Sequence, residues 1–235
     1  MNKQLISILL ILTSILSYSQ ESEISQRNSL HIGLTFSPDY CYRTLRTDPS
    51  YQDWADQQNS SQIPKFGYTT GINAILKFNK SIALEMGVQF SDKGMQTKMI
   101  KIEQEDPDQS IPDEIHNTWH YYYIDIPIKA NYFILKGKLN LFVSPGLSTN
   151  IFWVQKRVHS EFNPDNEETY FMSEGFNRFN MAVLFGTGID YFFSKKFNLR
   201  IEPIFRYSLT PLNNSELKRY QYSIGANFGL YYKLK

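Results

Sequence analysis

Ile201-Glu202-Pro203-Ile204-Phe205-Arg206-Tyr207 sets Ile201, Phe205 and Tyr207 on one side of an extended chain and Glu202 and Arg206 on the other. The stretch from Ile82 to Phe90 does the same, with Ile82, Leu84, Met86, Val88 and Phe90 opposed to Ala83, Glu85, Gly87 and Gln89. Side chains of a strand point alternately to its two faces, so each stretch is a strand with one apolar and one polar face. A closed sheet in a lipid bilayer needs that division, with apolar residues facing lipid and polar residues facing the lumen.

Eight segments carry the pattern: 29–38, 66–78, 81–93, 119–133, 138–153, 176–192, 196–210 and 220–234. Their outward residues include Leu34 and Phe36, Ile72 and Leu76, Ile124 and Ile128, Leu139 and Leu147, Phe185 and Ile189, and Ile224 and Phe228. The connections alternate in length. Asn79-Lys80, Leu135 to Lys138 and Phe193 to Lys196 read as tight turns, whereas 39–65, 94–118, 154–175 and 211–219 are longer and polar. The expected fold is therefore all-β, an eight-stranded antiparallel transmembrane β-barrel with short periplasmic turns and longer external loops. An even count closes the sheet without the unpaired edge that lipid forbids, and it puts both termini on the periplasmic side.

Lys3, the apolar run from Leu5 to Leu16 and the small residues Ser17 and Ser19 read as a secretory signal peptide. The expected division is a signal peptide at 1–19 and an outer-membrane barrel domain at 20–235. No later stretch approaches the run of about 18 apolar residues that marks a membrane helix. The formal charge is +1, so no basic footprint for nucleic acid is present. Cys41 is the one cysteine, falls in the first long loop on this reading, and is expected to be an inert thiol.

Aromatic residues fall where two membrane interfaces belong. Phe36, Tyr40, Phe66, Trp119, Tyr121, Trp153 and Tyr220 lie near the long loops, and Phe78, Tyr132, Phe133, Tyr191, Phe193 and Tyr232 near the short turns. These bands, with Gly and charge on the other face, set the pattern apart from a soluble lipocalin-like barrel, whose apolar face lines its cavity.

Tyr123-Ile124-Asp125-Ile126-Pro127-Ile128-Lys129 resembles the Tyr-x-x-Ile-Pro-hydrophobic pattern of PorT-type outer-membrane barrel proteins, which are typical of Bacteroidota. Val143 to Leu147, Phe185 to Tyr191 and Ile224 to Tyr232 are similar in order and spacing across the mature chain. The resemblance implies a barrel with no catalytic set to carry over, and a founding member associated with type IX protein secretion. The chain departs from the usual aromatic terminus of such strands by ending Leu234-Lys235.

Strand parity points Lys77, Glu85, Asp125, Lys129, Asp190, Arg200, Glu202 and Arg206 into the lumen. Eight strands leave an interior just wide enough for side chains, and buried charges there must be paired. Glu85, Asp125, Lys129, Arg200, Glu202 and Arg206 are accordingly expected to form a charge-paired structural network that plugs the barrel. The rival use of the same residues is a gated path for a small ion. Pro127 and Pro203, in mid-strand, should mark a bulge or an open ladder bond. His31 is expected to face the lumen. His116 and His120 are four apart on a strand, which separates them too far for a metal pair. The acidic loop Glu103 to Glu114 lacks the Gly of an EF-hand and reads as solvated.

No motif groups a nucleophile, a base and an orienting residue, so no catalytic residue, cofactor or metal is assigned. The expected role is structural, binding or secretion and assembly, with a lipid-modifying barrel enzyme as the rival. The expected partners are outer-membrane lipid, lipopolysaccharide and other envelope or secretion-system proteins.

Overall fold

The computed structural model describes residues 29–101, 114–135, 137–161 and 167–234. The signal segment and all but the last residue of the acidic loop lie outside these. Eight long strands form the wall: β1 (Ser29–Arg46), β2 (Lys65–Lys77), β3 (Ile82–Thr97), β4 (Glu114–Phe133), β5 (Leu139–Glu161), β6 (Phe179–Phe192), β7 (Phe197–Ser208) and β8 (Lys218–Lys233). Each pairs antiparallel with the next, and β8 pairs with β1 (His31 opposite Lys233, Arg46 opposite Lys218), so the ring is closed. Closure leaves no edge of the ring for lipid to desolvate. The first and last strands begin and end beside the short turns.

The apolar face points outward along every strand. In β7, Phe197, Leu199, Ile201, Pro203 and Phe205 are exposed while Asn198, Arg200, Glu202, Ile204 and Arg206 are buried. Rings stack sideways along the outer wall near the long-loop end: Tyr40 on Phe66, Phe36 on Tyr68, Tyr68 on Phe90, and Phe90 on both Tyr122 and Trp153. Phe193, Phe197 and Tyr232 cluster at the other end. Three residues assigned to these bands from sequence sit elsewhere. Tyr121 and Phe133 are inward and buried, and Trp119 packs against the inner apolar cluster. Each follows a strand parity that enrichment in aromatics does not report.

The strands run further than the apolar alternation. β1 continues to Arg46, β3 to Thr97 and β5 to Glu161, and β4 starts at Glu114. Above the lipid the outward residues need not be apolar, so the pattern fades while the hydrogen-bond ladder continues. The region 39–65 is thus mostly strand plus the helix α1 (Gln52–Ser61), not a loop. Cys41 lies within β1, buried, with Sγ 3.9 Å from the Asp92 carbonyl oxygen. A six-residue strand, Glu167–Met172, extends the β5 side of the wall outward as a hairpin.

The short turns are closed by side chains. Asn79 Oδ1 accepts from the Ser81 and Ile82 amides at 2.7 and 2.8 Å, and Ser194 Oγ accepts from the Phe197 amide at 3.0 Å. Such local bonds hold a turn without a long loop. The mid-strand prolines open the ladder without shifting it. Around Pro203 the pairs Ile201–Ile189 and Ile204–Gly186 flank an unpaired step in unchanged register, and Met86–Ile128 and Gln89–Asp125 flank Pro127 likewise. The register shift falls instead at Tyr122/Tyr123 against β5.

Candidate functional site

The lumen is filled in layers. Nearest the short turns, Ile75, Ala83, Phe133, Phe142 and Tyr231 form an apolar floor. Above it lies the largest polar network. The Arg200 guanidinium donates to Asp190 through Nε (2.7 Å) and Nη2 (2.9 Å), and to Glu85 through Nη1 (2.5 Å). It also rests 4.1 Å from the centre of the Phe142 ring. Lys129 Nζ lies 2.7 Å from Glu202 Oε2 and 3.2 Å from Glu85 Oε1. Lys77 completes the set 3.9 Å from Asp190.

Neutral donors take up the remaining carboxylate lone pairs. Asn73, Asn131 and Tyr231 donate to Glu85 at 2.7, 3.0 and 3.2 Å. Ser144 and Asn227 donate to Glu202. A buried ion is tolerable only when paired and hydrogen-bonded in this way. Three bases (Lys77, Lys129, Arg200) meet three acids (Glu85, Asp190, Glu202).

Two further pairs stand apart. Arg206 Nη1 lies 2.7 Å from Asp39 Oδ1, and Ser37 and Thr69 each donate to Asp39 at 2.6 Å. Lys93 Nζ lies 2.9 Å from Asp125 Oδ2, which also accepts from Ser91 at 2.8 Å. Of the six residues predicted from sequence, the structure brings Glu85, Lys129, Arg200 and Glu202 into one network. It places Asp125 and Arg206 in separate pairs.

Their partners were missed. Asp39 lies in a stretch that reads as a loop, and Lys93 closes its predicted strand. The inward set Ser37, Asp39, Cys41 and Arg43 continues the parity of His31 and Thr35, and that continuity was the available signal. Glycines make room for the acids. A Cβ at Gly225 would overlap the Asp39 carboxylate, and one at Gly186 would overlap the Glu202 carboxylate.

The long-loop end is closed by a second apolar layer. Met95, Tyr121, Tyr123, Phe152 and Leu212 pack together, with Tyr42, Trp119 and Phe176 against them. Phe176 and Leu212 come from connections that fold over the mouth, tied by Asn177 N to Leu212 O at 2.8 Å and by Asn177 Nδ2 to Pro211 O at 2.9 Å.

The histidines are dispersed. His31 Nε2 is 3.3 Å from Ser29 Oγ. His116 Nε2 is 3.1 Å from Thr118 Oγ1. His120 Nδ1 is 2.8 Å from Asp92 Oδ2, whose carboxylate Lys65 also binds at 3.0 Å. The extended hairpin of β5 and Glu167–Met172 holds a cleft of about 470 Å³ lined by Gln155, Arg157, His159, Glu168, Tyr170, Phe171 and Met172.

A closed ring of eight strands, apolar outside and charge-filled within, defines a transmembrane β-barrel of the bacterial outer membrane. The chain belongs to the family of the outer membrane protein beta-barrel domain, whose model matches residues 18–215. Among solved structures it is similar to the outer membrane protein OprG of Pseudomonas aeruginosa, at 12% identity and a TM-score of 0.48 over 88% of this chain and 95% of that one. It is also similar to the Neisserial surface protein A, at 11% and 0.43 over 85% and 95%. The outer membrane protease OmpT of Escherichia coli is similar at 10% and 0.42 over 92% and 100%. At this distance these likenesses carry nothing about activity. No curated protein matches the chain in sequence.

Proposed function

We propose that the protein is a non-catalytic binding or assembly barrel that meets its partners through its external hairpins, with the lumen serving as a structural core closed to flow. The observation that carries this reading is the placement of open and closed space. The Glu85–Lys129–Glu202–Arg200–Asp190 network and the Asp39–Arg206 and Lys93–Asp125 pairs fill the lumen with buried, paired charge, whereas the external hairpin presents an open cleft with Tyr170, Phe171 and Met172 half or more exposed. Clefts of this size, lined by aromatic and apolar side chains with a few polar groups, are where ligands and partner side chains seat.

The resemblance of its motifs to PorT-type barrels supports a Bacteroidota origin and an envelope or secretion-system protein as the partner. Lipid and lipopolysaccharide surround the barrel, and both termini are periplasmic. Affinity capture from detergent extract tests the proposal. Wild-type protein should retain a specific envelope protein, and Tyr170→Ala with Phe171→Ala should lose it. A changed lipid A mass spectrum on deletion of the protein would overturn the non-catalytic reading in favour of a lipid-modifying enzyme.

A further inference from the structure

Beyond the ring, the wall continues as a small raised sheet. Glu167–Met172 pairs with β5 along its whole length, from Gln155 opposite Met172 to Ser160 opposite Glu167, with no shift of register. It has no strand on its other side among the described residues. β6, which flanks the same edge of β5 lower down, reaches only to Phe179 opposite Ile151. In an antiparallel pair, alternate residues turn their N–H and C=O groups toward the partner and the others turn theirs away. Half of the backbone groups of this strand therefore face outward with no ladder to enter. The pairing begins two residues past Trp153, so this edge stands beyond the aromatic row at the long-loop end.

Edges that face water are normally blunted by lysine, proline, a bulge or shortness. Here Glu167 and Glu168 are followed by Thr169, Tyr170, Phe171 and Met172, which carry neither charge nor proline. Thr, Tyr and Phe suit a pleated ladder. Tyr170, Phe171 and Met172 are exposed, and consecutive side chains point opposite ways, so both faces of the edge offer apolar surface.

A second copy in the same membrane does not fit this edge. Barrel strands tilt by about 40° from the axis, so a two-fold axis along the membrane normal would cross the two copies' strands at about 80°. Neither a parallel nor an antiparallel ladder forms at that angle. A free polypeptide segment has no such constraint.

We propose that Glu167–Met172 is a strand-addition site, at which an extended segment of a partner protein joins the sheet as a further antiparallel strand. The proposal rests on the reading of the external hairpin as the partner surface. Backbone hydrogen bonds supply the affinity, and the side chains beside them supply selectivity. The segment that fits alternates apolar residues beside Tyr170 and Met172 on one face and Phe171 on the other. A Lys or Arg stands beside Glu168, since opposite charges attract across a ladder.

The test uses the purified full-length protein in detergent and the synthetic peptide acetyl-Lys-Val-Thr-Val-Thr-Val-amide. Hydrogen exchange is read residue by residue by NMR. In the free protein, alternate amides of 167–172 should exchange fast and the others slowly. Saturating peptide should slow the fast set, and the same peptide with its internal amides N-methylated should not. Proline at whichever of Thr169 or Tyr170 exchanges fast removes one outward N–H and spares the ladder to β5. That variant, Thr169→Pro or Tyr170→Pro, should keep the slow amides and lose the effect of the peptide. Slow exchange at every amide of the free strand would show that the edge is already covered, and would overturn the proposal. Absence of any protection by the peptide would overturn it too. Equal binding of the N-methylated peptide would overturn strand addition in favour of side-chain capture in the cleft. The reading of the hairpin as the partner surface fails separately, if capture from detergent extract retains nothing specific.

Discussion

Arg200 on β7 and Glu85 on β3 meet at 2.5 Å across the lumen, from strands four places apart in a ring of eight. The contact therefore spans the barrel's full width, and Asp190 and Lys129 hold its two ends. Removing the carboxylate leaves a fully buried guanidinium and a buried ammonium each short of a partner. Glu85→Ala should lower stability by about 3–5 kcal/mol, read as a fall in the urea midpoint in detergent. Combined with Arg200→Ala, the loss should be less than the sum of the singles, because both remove the same contact. Additive losses would show that the two residues do not interact.

Conductance tests the closed lumen. Reconstituted wild-type protein should show little steady current in a planar bilayer. Phe176→Ala with Leu212→Ala thins the outer apolar layer but leaves the charged layers beneath, so current should stay low. A large stable channel in either protein would show that the lumen is not plugged.

Gly225 and Gly186 face buried carboxylates. Gly225→Ala and Gly186→Ala force Asp39 and Glu202 to move in a packed interior. Each should cost about 1–3 kcal/mol in a urea melt. A melt unchanged by both substitutions would sink this account.

Cys41 is enclosed between β1 and its neighbours. A maleimide should fail to label it in the folded barrel and should label it fully in urea. Labelling in detergent without denaturant would show that β1 ends before this residue. In a Cys41→Ser background, Ser173→Cys should react with an impermeant reagent on whole cells and Ser194→Cys should not. The reverse pattern would invert the proposed orientation.

The sequence by itself determined the strand count, the short turns, the direction each mid-strand side chain takes and hence which charges enter the lumen. All of these are local. A period of two needs only a residue and its near neighbours, and Ile201 to Tyr207 displays it unaided. The tertiary structure alone decided which charges meet. Glu85 finds Arg200 across the ring, Glu202 finds Lys129 three strands away, and Asp125 finds Lys93 on the adjacent strand. Those choices depend on stagger and closure, which no single strand encodes. The structure also decided that Asp39 belongs to the lumen and Tyr121 to its apolar cap. Strand pairing outlasts the lipid, and with it the apolar alternation by which a strand can be read.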